Sequence, residues 1–395
     1  MKRALAVATL LFCQLTLLGP LKAQAAVEQH LFDPTLSLTG GCSTDKNDGV
    51  RDPWCPGPPG PSAAFEKPNI AIDWFGDMYV SSHAEEGTWP GRVDVFSPSG
   101  QFITELQVPG ARSLAVDPKG NLYVNQLRGG IDELHQVTLF RPTGTYDPVA
   151  GEISYEDPGE IIIEHQEPNP IPCGEHMAGG FVGLAIEPVT EHLFVSPGGG
   201  CVGEWSSAEE GPDLLDSTIG SGILKANKFI AVDAAHNRIY VSEGREGASS
   251  IIEVFELAAP HAHLGMIDGH TTPNGGFLAP FGYDTLAVDE TSGNLIVSEL
   301  NATPLVYEFG PGLDASEELL NIYENPGFKA PGFPLQIAVD NAVLSPNRRT
   351  FYITPGPEKG VHHTFAFRFS TVGPPEVKSP SVSGITETEA VLGAQ

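Results

Sequence analysis

Apolar positions in this chain fall into short runs of three or four, each closed by a polar turn, and one run recurs along its length. Its copies are Ile70-Ala71-Ile72-Asp73, Leu114-Ala115-Val116-Asp117, Leu184-Ala185-Ile186-Glu187, Ile230-Ala231-Val232-Asp233, Leu286-Ala287-Val288-Asp289 and Ile337-Ala338-Val339-Asp340. A polar turn follows each acid, as in Asp117-Pro118-Lys119-Gly120-Asn121, and then comes a second apolar trio. These trios are Met78-Tyr79-Val80, Leu122-Tyr123-Val124, Leu193-Phe194-Val195, Ile239-Tyr240-Val241, Leu295-Ile296-Val297 and Phe351-Tyr352-Ile353. A third run often follows, for example Val93-Asp94-Val95-Phe96 and Ile252-Glu253-Val254-Phe255, and Gln101 to Val108 reads as a fourth. β-Branched and aromatic residues bounded by Asp, Gly and Asn predict hairpins of short strands.

The repeat acids lie 44 to 70 positions apart, the span of one four-stranded unit each. The longest interval leaves an insertion of about 25 residues, which a loop absorbs at small entropic cost. Six such sheets bury both faces against neighbours most economically as a radial array. The expected fold is therefore all-β, a six-bladed β-propeller closed by an N-terminal strand. The pattern Ile-Ala-Val-Asp, turn, Leu-Tyr-Val, loop, Ile-x-Val-Phe resembles the NHL-repeat family over about Asn69 to Ser370. Many members carry an acid two positions after the second trio. This chain has Glu243 and Glu299 there, but Ser82, Gln126, Pro197 and Pro355 in the other copies. The sixth copy runs out after its third strand, so His30 to Leu38, whose end Thr35-Leu36-Ser37-Leu38 alternates polar with apolar, is assigned as the missing fourth strand. The expected organisation is a signal peptide at 1–25, a closing strand and disulfide loop at 26–68, the propeller at 69–372, and a tail at 373–395. The tail, with Val382-Ser383-Gly384-Ile385 and Thr388 to Leu392 as strands, resembles the opening of a fibronectin type III domain or is a disordered remnant.

Composition narrows the function. The 395 residues are 41% hydrophobic, enough to bury a large core, and 45 Gly with 35 Pro suit many turns. A net charge of −29 leaves no basic footprint for nucleic acid. Lys2 and Arg3 precede the apolar run Ala4 to Leu18 and the small-residue pattern Ala23-Gln24-Ala25, which reads as a secretory signal cut after Ala25. No later apolar run is long enough for membrane insertion. The mature chain is thus expected to be secreted or extracytoplasmic. Its four cysteines are expected to form disulfides, Cys42 with Cys55 and Cys173 with Cys201, although four cysteines allow three pairings. No Cys-x-x-Cys zinc spacing occurs, and Asp45-Lys46-Asn47-Asp48-Gly49 lacks the ligands of a calcium loop.

The six repeat acids are expected to accept backbone hydrogen bonds in the turns that follow them. The family resemblance implies a ligand face made by the connections into the first strands and those joining second to third strands. On that face the candidate binding residues are His83, Glu85, Arg128, Arg245, Glu299 and His362, with an unidentified protein, peptide or glycan as partner. No cofactor, metal or catalytic residue is assigned. The competing reading is a metal-dependent hydrolase or lyase of the six-bladed type, with His83, Glu85, Glu299 and His362 as its first candidates, since imidazole and carboxylate serve both as ligands and as proton carriers.

Overall fold

The computed structural model describes residues 27–36, 38, 68–82, 91–128, 134–143, 153–164, 183–211, 213–244, 250–277, 285–299, 305–311, 318–324, 336–354, 364–372, 381–383 and 391–393. They divide between a ring unit, residues 31–368, and a smaller unit made of residues 1–30 and 369–395.

The ring is six antiparallel sheets of four strands each. The first blade holds β2 (Ile70–Ile72), β3 (Met78–Ser82), β4 (Arg92–Phe96) and β5 (Phe102–Gln107). The second holds β6 (Ala111–Val116), β7 (Leu122–Arg128), β8 (Leu134–Phe140) and β9 (Glu160–Glu164). The third holds β10 (Gly183–Ile186), β11 (Leu193–Ser196), β12 (Val202–Trp205) and β13 (Leu215–Ile219). The fourth holds β14 (Asn227–Asp233), β15 (Arg238–Glu243), β16 (Ile251–Glu256) and β17 (His263–Ile267). The fifth holds β18 (Thr285–Asp289), β19 (Asn294–Glu299), β20 (Leu305–Phe309) and β21 (Leu319–Tyr323). The sixth takes β22 (Gln336–Val339), β23 (Phe351–Thr354) and β24 (Phe365–Val372) from the end of the chain, and its outer strand is β1 (Val27–Phe32) from the beginning.

The second strands show why their trios are apolar throughout instead of alternating. In a strand, successive side chains point to opposite faces. Each blade is covered on both faces, so every position meets a neighbour. Leu122 and Val124 pack into the cluster shared with the first blade, while Tyr123 between them packs towards the third. Ile239 and Val241 likewise face the third blade and Tyr240 the fifth. The core is accordingly six clusters, one at each junction between neighbouring blades.

Closure comes from the N-terminal segment, with one correction to its placement. The strand is Val27–Phe32, and the alternating stretch expected to be strand instead begins as a 3-10 turn at Pro34–Leu36. Asp33 ends the strand, because its carboxylate accepts the Thr35 N–H at 2.9 Å. Leu36 and Leu38 are both buried in the cluster between the sixth and first blades, so their alternation reflects plugging of that junction. Thr364 clasps Leu38 from both sides: its hydroxyl accepts the Leu38 N–H at 2.9 Å, and its own N–H donates to the Leu38 carbonyl at 2.9 Å.

The repeat acids do what their position predicts. Asp117 Oδ1 accepts the N–H groups of Lys119 and Asn121, each at 2.9 Å, while Oδ2 accepts the Asn121 side-chain amide at 2.7 Å. Asp73 holds Phe75 and Asp77 at 2.8 and 2.9 Å, and Glu187 holds Val189 and Thr190. Asp117→Ala leaves buried turn donors unmet and is expected to cost about 1–3 kcal/mol, measured as a lowered urea midpoint at unchanged slope.

In the smaller unit, the His30 and Phe369 rings meet edge-on at 5.7 Å. The tail there forms a two-stranded antiparallel hairpin, β25 (Ser381–Ser383) with β26 (Val391–Gly393), in which Val382 stands opposite Leu392. No helix among the described residues is long and apolar enough to cross a membrane.

Candidate functional site

The six inner strands surround a central channel with two unlike ends. At the upper face, where these strands begin and the second strands finish, a recess of about 60 Å³ is lined by Asn69, Ser113, Thr285 and Gln336 above a layer of Ile and Leu. The Asn69 amide donates to Gln336 Oε1 at 3.0 Å, joining the first and last blades across this mouth. At the lower face, reached by the first-to-second-strand turns, a larger cavity of about 200 Å³ has walls of Ala, Val, Ile and Leu and a mouth formed by Trp74, Pro118, Pro188, Glu290 and Asn341.

A ring of small polar residues supports the upper recess. Every second strand follows its apolar trio with one: Ser81, Asn125, Ser196, Ser242, Ser298 and Thr354, all buried. The hydroxyls of Ser81 and Thr354 bridge backbones. Ser81 Oγ accepts the Asn69 N–H at 3.1 Å and donates to the Arg112 carbonyl of the next blade at 2.6 Å. Thr354 Oγ1 accepts from the Gln336 N–H at 3.3 Å and donates to the Pro68 carbonyl at 3.2 Å, and Ser242 Oγ accepts the Phe229 N–H at 2.9 Å. In the sequence these positions show only as one polar residue after each trio, a signal that short strand ends share with ordinary turns. Close packing completes the frame: a Cβ on Gly183 would lie 2.5 Å from the Lys228 carbonyl.

Glu299 is the last residue of β19, fully buried, and its carboxylate accepts the Tyr307 hydroxyl at 2.8 Å. Glu243, its counterpart in the fourth blade, accepts the N–H groups of Lys225 and Ala226 at 2.9 and 3.0 Å. Both acids therefore brace the frame. Arg128 ends β7 with its backbone opposite Leu134, and its side chain lies outside the described residues. His83, Glu85, Arg245 and His362 also lie outside them, as do Cys42, Cys55 and Cys173, the calcium-like stretch at 45–49 and the segment 1–25. Cys201 is fully buried and held in a disulfide. Among the described residues no group of three or more His, Cys, Asp or Glu side chains is placed to hold a metal ion.

A polar cluster that the sequence did not suggest joins the third and fourth blades. Glu204 Oε1 lies 2.9 Å from His192 Nδ1, and its Oε2 lies 3.1 Å from His261 Nε2 and accepts the Ser217 hydroxyl at 2.6 Å. Burial works against ionisation of Glu204, but hydrogen bonds from His261, Ser217 and His192 outweigh it and hold the carboxyl at about 2. For His261 burial likewise opposes the charge, while Glu204 raises the ring above its ordinary value. Ser217 Oγ also lies 3.0 Å from His261 Nε2, so the trio has the composition of a nucleophile relay. Its wiring differs. A relay needs hydroxyl and carboxylate on opposite ring nitrogens, whereas here both meet Nε2, and Nδ1 faces the Glu256 carbonyl at 3.2 Å. The cluster is an inter-blade clasp.

No protein-family model matches the chain, and no curated protein matches it. Among solved structures, the chain is similar to the β-propeller domain of Myceliophteria thermophila Cps50 (Swd1), with 9% identity over 78% of this chain and 85% of that one and a TM-score of 0.46. A chain of a mitotic checkpoint complex is similar at 12% identity, 81% and 98% coverage and a TM-score of 0.46. A chain of a nidogen/laminin complex is similar at 10% identity, 65% and 80% coverage and a TM-score of 0.42. The strand order of the chain itself makes it a six-bladed β-propeller whose two ends share one blade.

Proposed function

We propose that this chain is an exported, NHL-like binding or scaffold module that engages a protein, peptide or glycan through its upper face. The observation that carries this reading is the polar recess at the centre of that face, where neutral amides and hydroxyls, Asn69, Ser113, Thr285 and Gln336, ring the channel mouth. Neutral donors and acceptors at a concave centre suit the amides of a peptide or the hydroxyls of a glycan. The hydroxyl-bridged frame beneath holds the surrounding connections on a rigid base, the usual setting for recognition loops. The strongly acidic chain adds attraction for basic or neutral partners and sensitivity to salt. Export and the fibronectin type III-like start of the tail belong to the same proposal, as does Cys173 as the partner of Cys201. Disulfide mapping of secreted protein tests that pairing, and a Cys201 bridge to another residue would remove it.

The test of function is a peptide and glycan array screened with the full chain, followed by binding measurements on Gln336→Ala and on a lower-face control, Val343→Ala. The expected result is a ligand whose affinity falls at least tenfold in the Gln336 variant and is unchanged in the control. A ligand indifferent to Gln336 and mapped by cross-linking to the lower face would overturn the assignment.

A further inference from the structure

The lower cavity has the features of a second site, independent of the upper face. Its walls carry the aliphatic side chains of Ala71, Ile72, Val116, Ile186, Val232 and Val339, and its polar lining includes Asp73, Glu290 and Asn341. A cavity of about 150 Å³ has room for benzene, so about 200 Å³ accommodates a six-carbon chain or ring. The mouth is different. Two carboxylates line it, Asp73 and Glu290; the other repeat acids are buried within their turns.

Glu290 stands out among the lining residues. Its N–H is held by Asn341 Oδ1 at 3.0 Å, and Asn341 in turn donates to the Val288 carbonyl at 2.8 Å, which pins the fifth blade to the sixth. The half-buried Glu290 carboxylate, by contrast, makes no hydrogen bond or ion pair with any described residue. Burial, and then the charges of Asp233, Glu187 and Asp289, push its pKa up to about 7, with His236 alone opposing them. Trp74, from the turn of the first blade, lines the same mouth and is 38% exposed.

We propose that this cavity binds an amphiphilic organic monocation, its apolar group seated between the inner strands and its ammonium at the mouth beside Glu290 and Trp74. The aliphatic side chains favour an apolar group, Asp73 and Glu290 disfavour an anion, and an ammonium at the mouth gains a carboxylate partner with an aromatic side chain on the same rim. Because a bound cation favours ionised Glu290, binding draws a proton off this carboxyl near neutral pH.

Calorimetric titration of the full chain at moderate salt with hexylammonium, methylammonium, hexanoate and hexan-1-ol tests the proposal. Hexylammonium is expected to bind at least tenfold more tightly than any of the other three, with proton release that Glu290→Gln abolishes while weakening affinity at least fivefold. Ala338→Leu, which adds bulk to the wall, is expected to abolish binding altogether. Equal binding of hexylammonium and methylammonium would mean that only surface charge is sensed, and equal binding of hexanoate would mean that the two carboxylates do not select. Either result, absence of hexylammonium binding, or an affinity indifferent to Glu290→Gln overturns the site.

Discussion

Removal of residues 26–38 is expected to destabilise the ring by roughly 5 kcal/mol or more, because it takes two buried leucines out of one blade junction and uncovers a strand edge. Leu36 and Leu38 lie in the cluster with Ile70, Met78, Val80, Phe96, Tyr352 and Ala366, so the loss falls on the seam between the first and last blades. Truncating one buried Leu typically costs about 2–5 kcal/mol, and two are removed. The backbone bonds that tie Leu38 to Thr364, and the Asp33 N–H to the Ala366 carbonyl at 2.8 Å, go with them. Phe32, packed 5.7 Å from the Phe367 ring and 6.2 Å from Phe365, also leaves β24. Thermal unfolding of the deletion and of Leu36→Ala/Leu38→Ala measures the two contributions. The double variant isolates the junction, and the extra loss in the deletion reports the strand. A deletion with the midpoint of the intact chain would show that the ring stands without its N-terminal clasp.

How far this fold could be read from the sequence follows from how each strand is buried. Inner and second strands are covered on both faces, so their apolar runs are continuous and repeat visibly. Outer strands are only partly covered, so their apolar positions follow no common pattern: Leu264 and Met266 in β17, and Leu320 and Ile322 in β21, are exposed. Outside the first blade they formed no recognisable repeat. The third strand of the third blade, Val202–Trp205, escaped for another reason. Gly203 interrupts its apolar run, and a Cβ there would lie 2.3 Å from the Trp205 ring, so the glycine makes room for the largest side chain in that junction. The closing strand was recognised in kind but misplaced, since Leu36 and Leu38 imitate strand alternation. The clasp of Glu204, His192, His261 and Ser217 was illegible, because only the packing of two blades brings these residues together.

The same turns that organise the lower face set an expected pH response: stability highest near pH 5 and falling by about 2 kcal/mol by pH 8. Burial raises Asp340 to about 6 against the hydrogen bonds it receives from Ser345 and the Ala342 N–H, and Glu290 rises to about 7. A carboxyl whose folded value lies above its unfolded one favours folding while protonated. Its contribution is complete below about pH 4 and is lost as pH climbs through the folded value. Asp340, nearly inaccessible to solvent, supplies up to about 3 kcal/mol for its shift, and Glu290 about 1 after screening by water at the cavity mouth. His261, raised by Glu204, works in the same direction, since its favourable charge disappears above its ordinary range. Glu204 acts oppositely. Held at about 2, it stabilises above its unfolded value and gives way only as pH falls from about 4.5 towards 2, which sets the acidic side of the maximum. Melting temperatures at constant ionic strength should therefore drop by roughly 3 °C between pH 5 and pH 8. In Asp340→Asn, whose Oδ1 still accepts the Ala342 N–H while its amide can donate to the Ser345 oxygen, that drop should shrink. A melting temperature that rises over this interval, or a variant that retains the full slope, would show that the lower-face carboxyls are ionised without cost, and the acidic mouth would lose its claim on a cation.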